Sequence, residues 1–156
     1  MSGFRFVALP YEPFAPLFDL SDDALRDRNA RREVVTEKPG FPCRVSLADA
    51  EVGETVLLLS YRHHDVPSPY RAAGPIYVRR GVRPATPATG EIPLMFRHRL
   101  LSLRAYDRDA SLVNAAAVSG TALDAAIRDL FADPAVGYLH IHNARPGCYN
   151  CRVDRA

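Results

Sequence analysis

The sequence predicts an α+β fold, a mainly antiparallel sheet flanked by two helices, in a single domain over residues 1–156. Three observations lead there. Strand-like runs follow one another without the regular strand–helix alternation of a parallel α/β sheet. Only two stretches, after Ser21 and after Thr121, carry helix signals. No linker-like tract divides the chain, and 156 residues with 47% hydrophobic content can bury one core without staples.

The elements follow in order. Phe4 to Leu9 reads as a first strand ended by Pro10, and Pro10, Pro13 and Pro16 keep the next segment from becoming helical. Ser21 or Asp22 caps a short helix predicted to run to about Arg31, with acids in its first turn where the helix dipole favours them. Cys43 to Leu47 reads as a brief strand after a Pro-Gly turn, and Thr55 to Arg62, with its Val56–Leu59 apolar run, as the strongest strand. Asp65 to Gly74 is a loop and Pro75 to Arg79 a strand. After the proline-rich loop Arg83 to Pro93, Leu100–Asp107 and Leu112–Val118 form a hairpin. Thr121 and Asp124 have capping-box spacing, and Leu123, Ile127, Leu130 and Phe131 recur at helical intervals before Asp133-Pro134. Gly137 to Asn143 and Cys151 to Asp154 are the last strands.

Composition narrows the function. The net charge is +2, and Lys38 is the only lysine among twenty basic residues. The arginines alternate with acids, as in Asp22-Asp23-Ala24-Leu25-Arg26-Asp27-Arg28, instead of forming the one-sided basic patch of a nucleic-acid or membrane binder. No run reaches the ~18 apolar residues of a membrane span, and the N-terminus lacks the apolar core of a secretory signal. A cytoplasmic location is expected, where the three cysteines stay reduced. The sequence has no phosphate-cradling glycine loop, H-E-x-x-H, G-x-S-x-G or dinucleotide fingerprint.

Groups capable of chemistry concentrate near the C-terminus. On a strand, alternation sends Leu139 and Ile141 to the core and places Tyr138, His140 and His142 together on the other face. Two imidazoles on one face begin a zinc site, and Cys148 with Cys151 adds a C-x2-C pair. The competing reading is structural: buried cysteines and hydrogen-bonded histidines are common without a ligand. A thioredoxin-like role for the cysteine pair is rejected, because the five residues after Cys151 cannot supply a supporting helix. Cys43, Cys148 or Cys151 as nucleophile with His140 or His142 as base stays open. In Ser68–Pro75, Tyr70 and Arg71 offer a hydroxyl and a guanidinium to an anionic ligand, or merely anchor a loop. His63 and His64, as strand neighbours pointing opposite ways, are taken as surface residues. Lys38-Pro39-Gly40 before Cys43-Arg44-Val45 echoes Arg145-Pro146-Gly147 before Cys151-Arg152-Val153, suggesting two similar turns that lie side by side.

Glu37-Lys38-Pro39-Gly40-Phe41-Pro42-Cys43-Arg44, the Gly53–Leu59 strand, Ser68-Pro69-Tyr70 with Gly74-Pro75-Ile76, and Gly147-Cys148-Tyr149 together resemble domain-of-unknown-function family 1203, a set of uncharacterised bacterial proteins of about this length. The resemblance implies a one-domain organisation and supplies no activity, substrate or cofactor. The family pattern carries a second cysteine where this chain has Ser46, so a two-cysteine metal clasp starting at Cys43 is incomplete here.

The expectation is therefore a small-molecule binding domain or small enzyme, with its pocket where the Cys43 turn, the Tyr70 loop and the histidine strand converge. His140, His142 and Cys148 are the candidate catalytic groups. Cys43, Arg44, Tyr70 and Arg71 are the candidate ligand-binding groups, the arginines holding anionic moieties. His140, His142, Cys148 and Cys151 are candidate ligands for zinc. The alternatives are a non-catalytic interaction module that pairs as a homodimer through a sheet edge, and a zinc-stabilised domain.

Overall fold

Eight strands form two antiparallel sheets in a computed structural model that describes residues 3–156. The larger sheet has the order β1 (Phe4–Val7), β8 (Tyr149–Arg155), β7 (Tyr138–Asn143), β5 (Leu100–Tyr106), β6 (Leu112–Ser119). The smaller runs β2 (Ala30–Val34), β3 (Thr55–His64), β4 (Ala72–Arg79). Two helices, α1 (Asp22–Arg26) and α2 (Leu123–Phe131), complete the α+β fold. No described helix is long and apolar enough to cross a membrane.

Each sheet has its own core. Leu123, Ile127, Leu130 and Phe131 of α2 pack with Leu101, Leu103, Leu139, Ile141 and Val153, the apolar side of the larger sheet. Leu57, Leu59, Ile76 and Val78 of the smaller sheet pack with Phe14, Phe18, Leu25, Cys43, Val45 and Tyr149. Tyr149 belongs to β8, so the second core joins the two sheets. All six residues of β7 are buried, which requires that both of its faces be covered.

Local signals explain most elements, and tertiary pairing overrides three expectations. Ser21 caps α1 by accepting the Ala24 N–H at 3.1 Å, but the helix stops at Arg26 rather than near Arg31. Asn29 takes a left-handed φ of 54°, and Ala30–Val34 becomes β2 against β3, a strand the sequence pattern had assigned partly to the helix. Cys43–Leu47 is a turn instead of a strand. Its Leu47 N–H returns to the Cys43 carbonyl at 3.0 Å, while the Arg44 N–H bonds Tyr77 O at 3.1 Å. At α2 no capping box forms: Asp124 pairs with Arg128 at 2.7 Å, and Gly120–Ala122 make a 3-10 turn ahead of the helix.

The turn after Cys43 is anchored by a nearly buried carboxylate. Asp49 accepts hydrogen bonds from Arg99 and, at 3.1 Å, from His98. Burial pushes its pKa up, but the Arg99 hydrogen bonds and charge, with His98, outweigh this and hold it below the usual aspartate value. Removing one partner of such a pair strands the other, which costs about 3 kcal/mol or more. We predict that Asp49→Ala lowers the free energy of unfolding at pH 7 by about that much, measured by urea denaturation. A carboxylate with a depressed folded pKa stabilises above its unfolded pKa and loses that contribution as pH falls through the folded value. The gap between the variant and the wild type should therefore close in strong acid, and equal stabilities at pH 7 would remove Asp49 from this role.

Candidate metal centre

Strand alternation places His140 and His142 on the face of β7 turned away from α2, as the sequence pattern requires. Cross-strand pairing builds the rest of that face. Ser102 and Tyr149 oppose His142, Arg104 and Arg152 oppose His140, and Tyr106 and Asp154 oppose Tyr138. An extra residue in β8, between the Ile141–Cys151 and His142–Tyr149 pairs, brings Tyr149 onto the histidine face.

The third and fourth imidazoles come from the other sheet. His63 and His64 are not surface residues: His64 is 3% exposed, and the His63 ring centroid lies 5.2 Å from that of His142. The expectation failed because β3 is irregular. Between Tyr61 and His64 it advances three residues while β4 advances two, from Gly74 to Ala72. A bulge breaks the alternation, so both neighbours reach His140, with ring centroids 6.2 and 4.8 Å away. The composition gave no sign of this; only the paired histidines at a strand end hinted at it.

Hydrogen bonding divides the four rings into two kinds. His64 is satisfied on both sides: Nδ1–H donates to Tyr70 O at 2.7 Å, and Nε2 accepts from the Tyr138 hydroxyl at 2.6 Å. The other three each leave a buried nitrogen without a partner, namely Nδ1 of His63, Nδ1 of His140 and Nε2 of His142. His142 is oriented for this, since its Nδ1–H donates to Gly147 O at 2.9 Å and fixes the tautomer with the Nε2 lone pair free. One ring nitrogen from each of His63, His140 and His142 lies within 4.8 Å of the others, the only such group of three ligands among the described residues.

The electrostatics keep these rings neutral. Burial lowers the His140 pKa to about 2, helped by the three neighbouring imidazoles and Arg152. His63 falls to about 4 through burial, Arg104 and His64. Burial also takes His142 to about 4, with Arg104, His63 and Arg44 adding to it against the Gly147 carbonyl. A neutral imidazole offers a lone pair, the form in which histidine binds metals. Tetrahedral coordination by nitrogens ~2.0–2.1 Å from zinc requires N···N separations of about 3.4 Å, so the rings need to close slightly around an ion.

The remaining predicted site residues fall into separate places. Cys151 faces α2, where its thiol donates to Val7 O at 3.3 Å and burial pushes its pKa up to about 12; it shares no face with the histidines. Cys148 is half-buried and accepts the Asn143 amide at 3.1 Å, outside the three-histidine group. The sulfur of Cys43 accepts the Ser46 and Arg79 N–H groups at 3.4 and 3.3 Å, a turn staple. Arg44 is 1% exposed, donates to Tyr149 O at 2.8 Å and to Pro42 O, and ties the Cys43 turn to β8. Arg71 lies at the surface, 3.3 Å from Asp65. Tyr70 contributes its carbonyl to His64 while its ring stands 6.1 Å from Tyr106. The Cys43 turn, Tyr70 loop and histidine strand thus converge, but on a packed cluster: cavities of about 870, 560, 530 and 430 Å³ lie elsewhere and none is lined by these histidines. The two echoing Pro-Gly turns do lie side by side, Pro39 and Gly40 facing Arg145 and Pro146 across the 430 Å³ groove.

Two outcomes follow. A thiol reagent should modify half-buried Cys148 on the native protein, and Cys43 and Cys151 only after denaturation, as mass spectrometry of peptides can show. The metal-free protein should lose stability as pH falls from about 6.5, where the unfolded histidines begin to protonate, toward the folded values of about 4 and 2. Urea midpoints that stay flat between pH 7 and 4.5 would contradict that picture of the cluster.

No curated protein and no solved structure matches the chain. Residues 40–155, which include all three histidines, match the profile of a family described as Protein of unknown function (DUF1203). By that match over most of its length, the chain belongs to the DUF1203 family.

Proposed function

We propose that the protein is a metal-dependent domain, with one divalent transition-metal ion held by His63, His140 and His142. The observation that carries this reading is that one ring nitrogen from each of His63, His140 and His142 lies within 4.8 Å of the others, in three rings that each leave a buried nitrogen without a partner. A buried polar atom left unpartnered costs about 1–3 kcal/mol, so three in one place form a poor structural core and a good ligand set. Burial favours the unprotonated rings, and the Gly147 carbonyl aims one of them.

Zinc suits the donor set. Imidazole ligands favour zinc and its late transition-metal neighbours over calcium or magnesium. Three protein ligands leave a fourth position free, the arrangement of catalytic rather than structural zinc, and such an ion supplies Lewis-acid and water-activating chemistry. In this reading Cys148 and Cys151 are not ligands, and the protein is a small enzyme acting on a small molecule. Three unpaired cysteines support a reducing, cytoplasmic setting. A second reading, self-association, rests on β6: it is an edge strand, and Leu112–Ser119 carries no charge and no proline to block pairing. Sedimentation of the purified protein distinguishes a monomer from such a dimer.

Elemental mass spectrometry of protein purified without added metal should find about one zinc or related ion per chain, and zinc added to the stripped protein should raise its melting temperature. His63→Ala, at the more open end of the cluster, should keep its circular dichroism spectrum and bind zinc at least about 100-fold more weakly. Failure of the stripped wild-type protein to take up zinc, cobalt or nickel at micromolar concentration would falsify the reading.

A further inference from the structure

The three-histidine group contains no carboxylate among the described residues, and the charged side chains that act on its rings, Arg44, Arg104 and Arg152, are basic. Ala115, Arg104, His140 and Arg152 stand in one cross-strand row, so His140 has an arginine on either side. Arg152 is occupied. Its Nε donates to Asp154 at 2.6 Å, and its guanidinium lies over the Tyr138 ring, 4.2 Å from the centroid.

Arg104 is not. It is half-buried beside the Tyr106 hydroxyl, and its charge reaches both His63 and His142. It takes part in none of the ion pairs among the described residues. A half-buried guanidinium without an acid is uncommon, because its planar fork of donors matches a carboxylate or phosphate. The flank next to it is open. Ala115 and Ala117 lie opposite Arg104 and Ser102 on the edge strand β6, and both alanines are exposed. Short side chains there leave room above Arg104 for an incoming group.

Charge balance points the same way. Three neutral imidazoles leave the full charge of a divalent ion uncompensated, and Arg104 adds to it at short range. No acidic side chain of the cluster can neutralise that sum, so an external anion is the complementary partner.

We propose that the substrate or ligand of this centre carries a small oxyanion, a carboxylate or a phosphate, which binds with one oxygen at the open position of the ion and another on the Arg104 guanidinium. Arg104 is then the specificity-determining residue, and the ligand enters across the Ala115–Ala117 flank. This inference rests on the metal reading above.

Cobalt(II)-loaded protein separates the two ideas, because the visible absorption of four-coordinate cobalt reports both loading and the fourth ligand. Titration with acetate and with inorganic phosphate should shift the wild-type spectrum saturably, and the tighter of the two identifies the class. Arg104→Met should load cobalt to the same stoichiometry and bind the preferred anion at least about tenfold more weakly. Arg104→Lys, which keeps the charge without the fork, should fall between them. Cobalt loading with no spectral response to either anion, or an Arg104→Met protein that responds like the wild type, overturns the anion site and leaves the metal centre standing. No cobalt loading overturns both.

Discussion

Strand β7 is covered on both faces, and the rest of the molecule is arranged around that constraint. Its Leu139 and Ile141 side needs only apolar cover, which α2 provides. Its Tyr138, His140 and His142 side cannot be buried that way, because each ring carries polar atoms that lose water on folding. The second sheet and the β7–β8 hairpin supply a polar lining instead. His64 satisfies Tyr138, the Gly147 carbonyl satisfies one side of His142, and Tyr149 stacks on His63 with 5.0 Å between ring centroids. Where that lining stops short, three nitrogens remain without partners, and the candidate centre is located there.

The basic residues near the cluster do different work according to what they can reach. Arg44 is deepest and bonds the main-chain carbonyls of Tyr149 and Pro42, so it holds the Cys43 turn against β8. Arg152 is neutralised by Asp154 and packs on an aromatic ring. Burial and this positive field both disfavour imidazolium, so the histidines resist protonation without any need for a metal to enforce it. The arrangement also explains why the sequence shows no basic patch: its arginines are distributed inward and among acids rather than along one face.

The fold class was legible because period-two and period-3.6 patterns survive packing: β5, β6, β7 and α2 lie close to where their apolar residues place them. The edge of α1 was not, since Arg28–Glu33 has acceptable helical composition and becomes a strand only because β3 offers a partner. At the site, alternation correctly grouped His140 with His142. It also separated His63 from His64 and set both at the surface, while the C-x2-C spacing brought in Cys148 and Cys151, because that spacing is visible in a sequence and a bulge is not. Cys148 and Cys151 sit on either side of the β8 irregularity, which sends Cys151 toward α2 and leaves Cys148 at the turn. Arg104 carried no local signal at all; its standing depends on what lies across two strands.

The bulge between Tyr61 and His64 has an implication for descent as well as for geometry. A strand of even register would present one histidine inward and turn its neighbour to solvent. Loss or gain of a single codon in this stretch would therefore exchange the ring that meets His142 without altering any residue of the larger sheet. A chain that kept every side chain of β7 but lost this bulge would lose one of the two imidazoles that reach His140, so the length of this strand end matters to the centre as much as the identity of its residues.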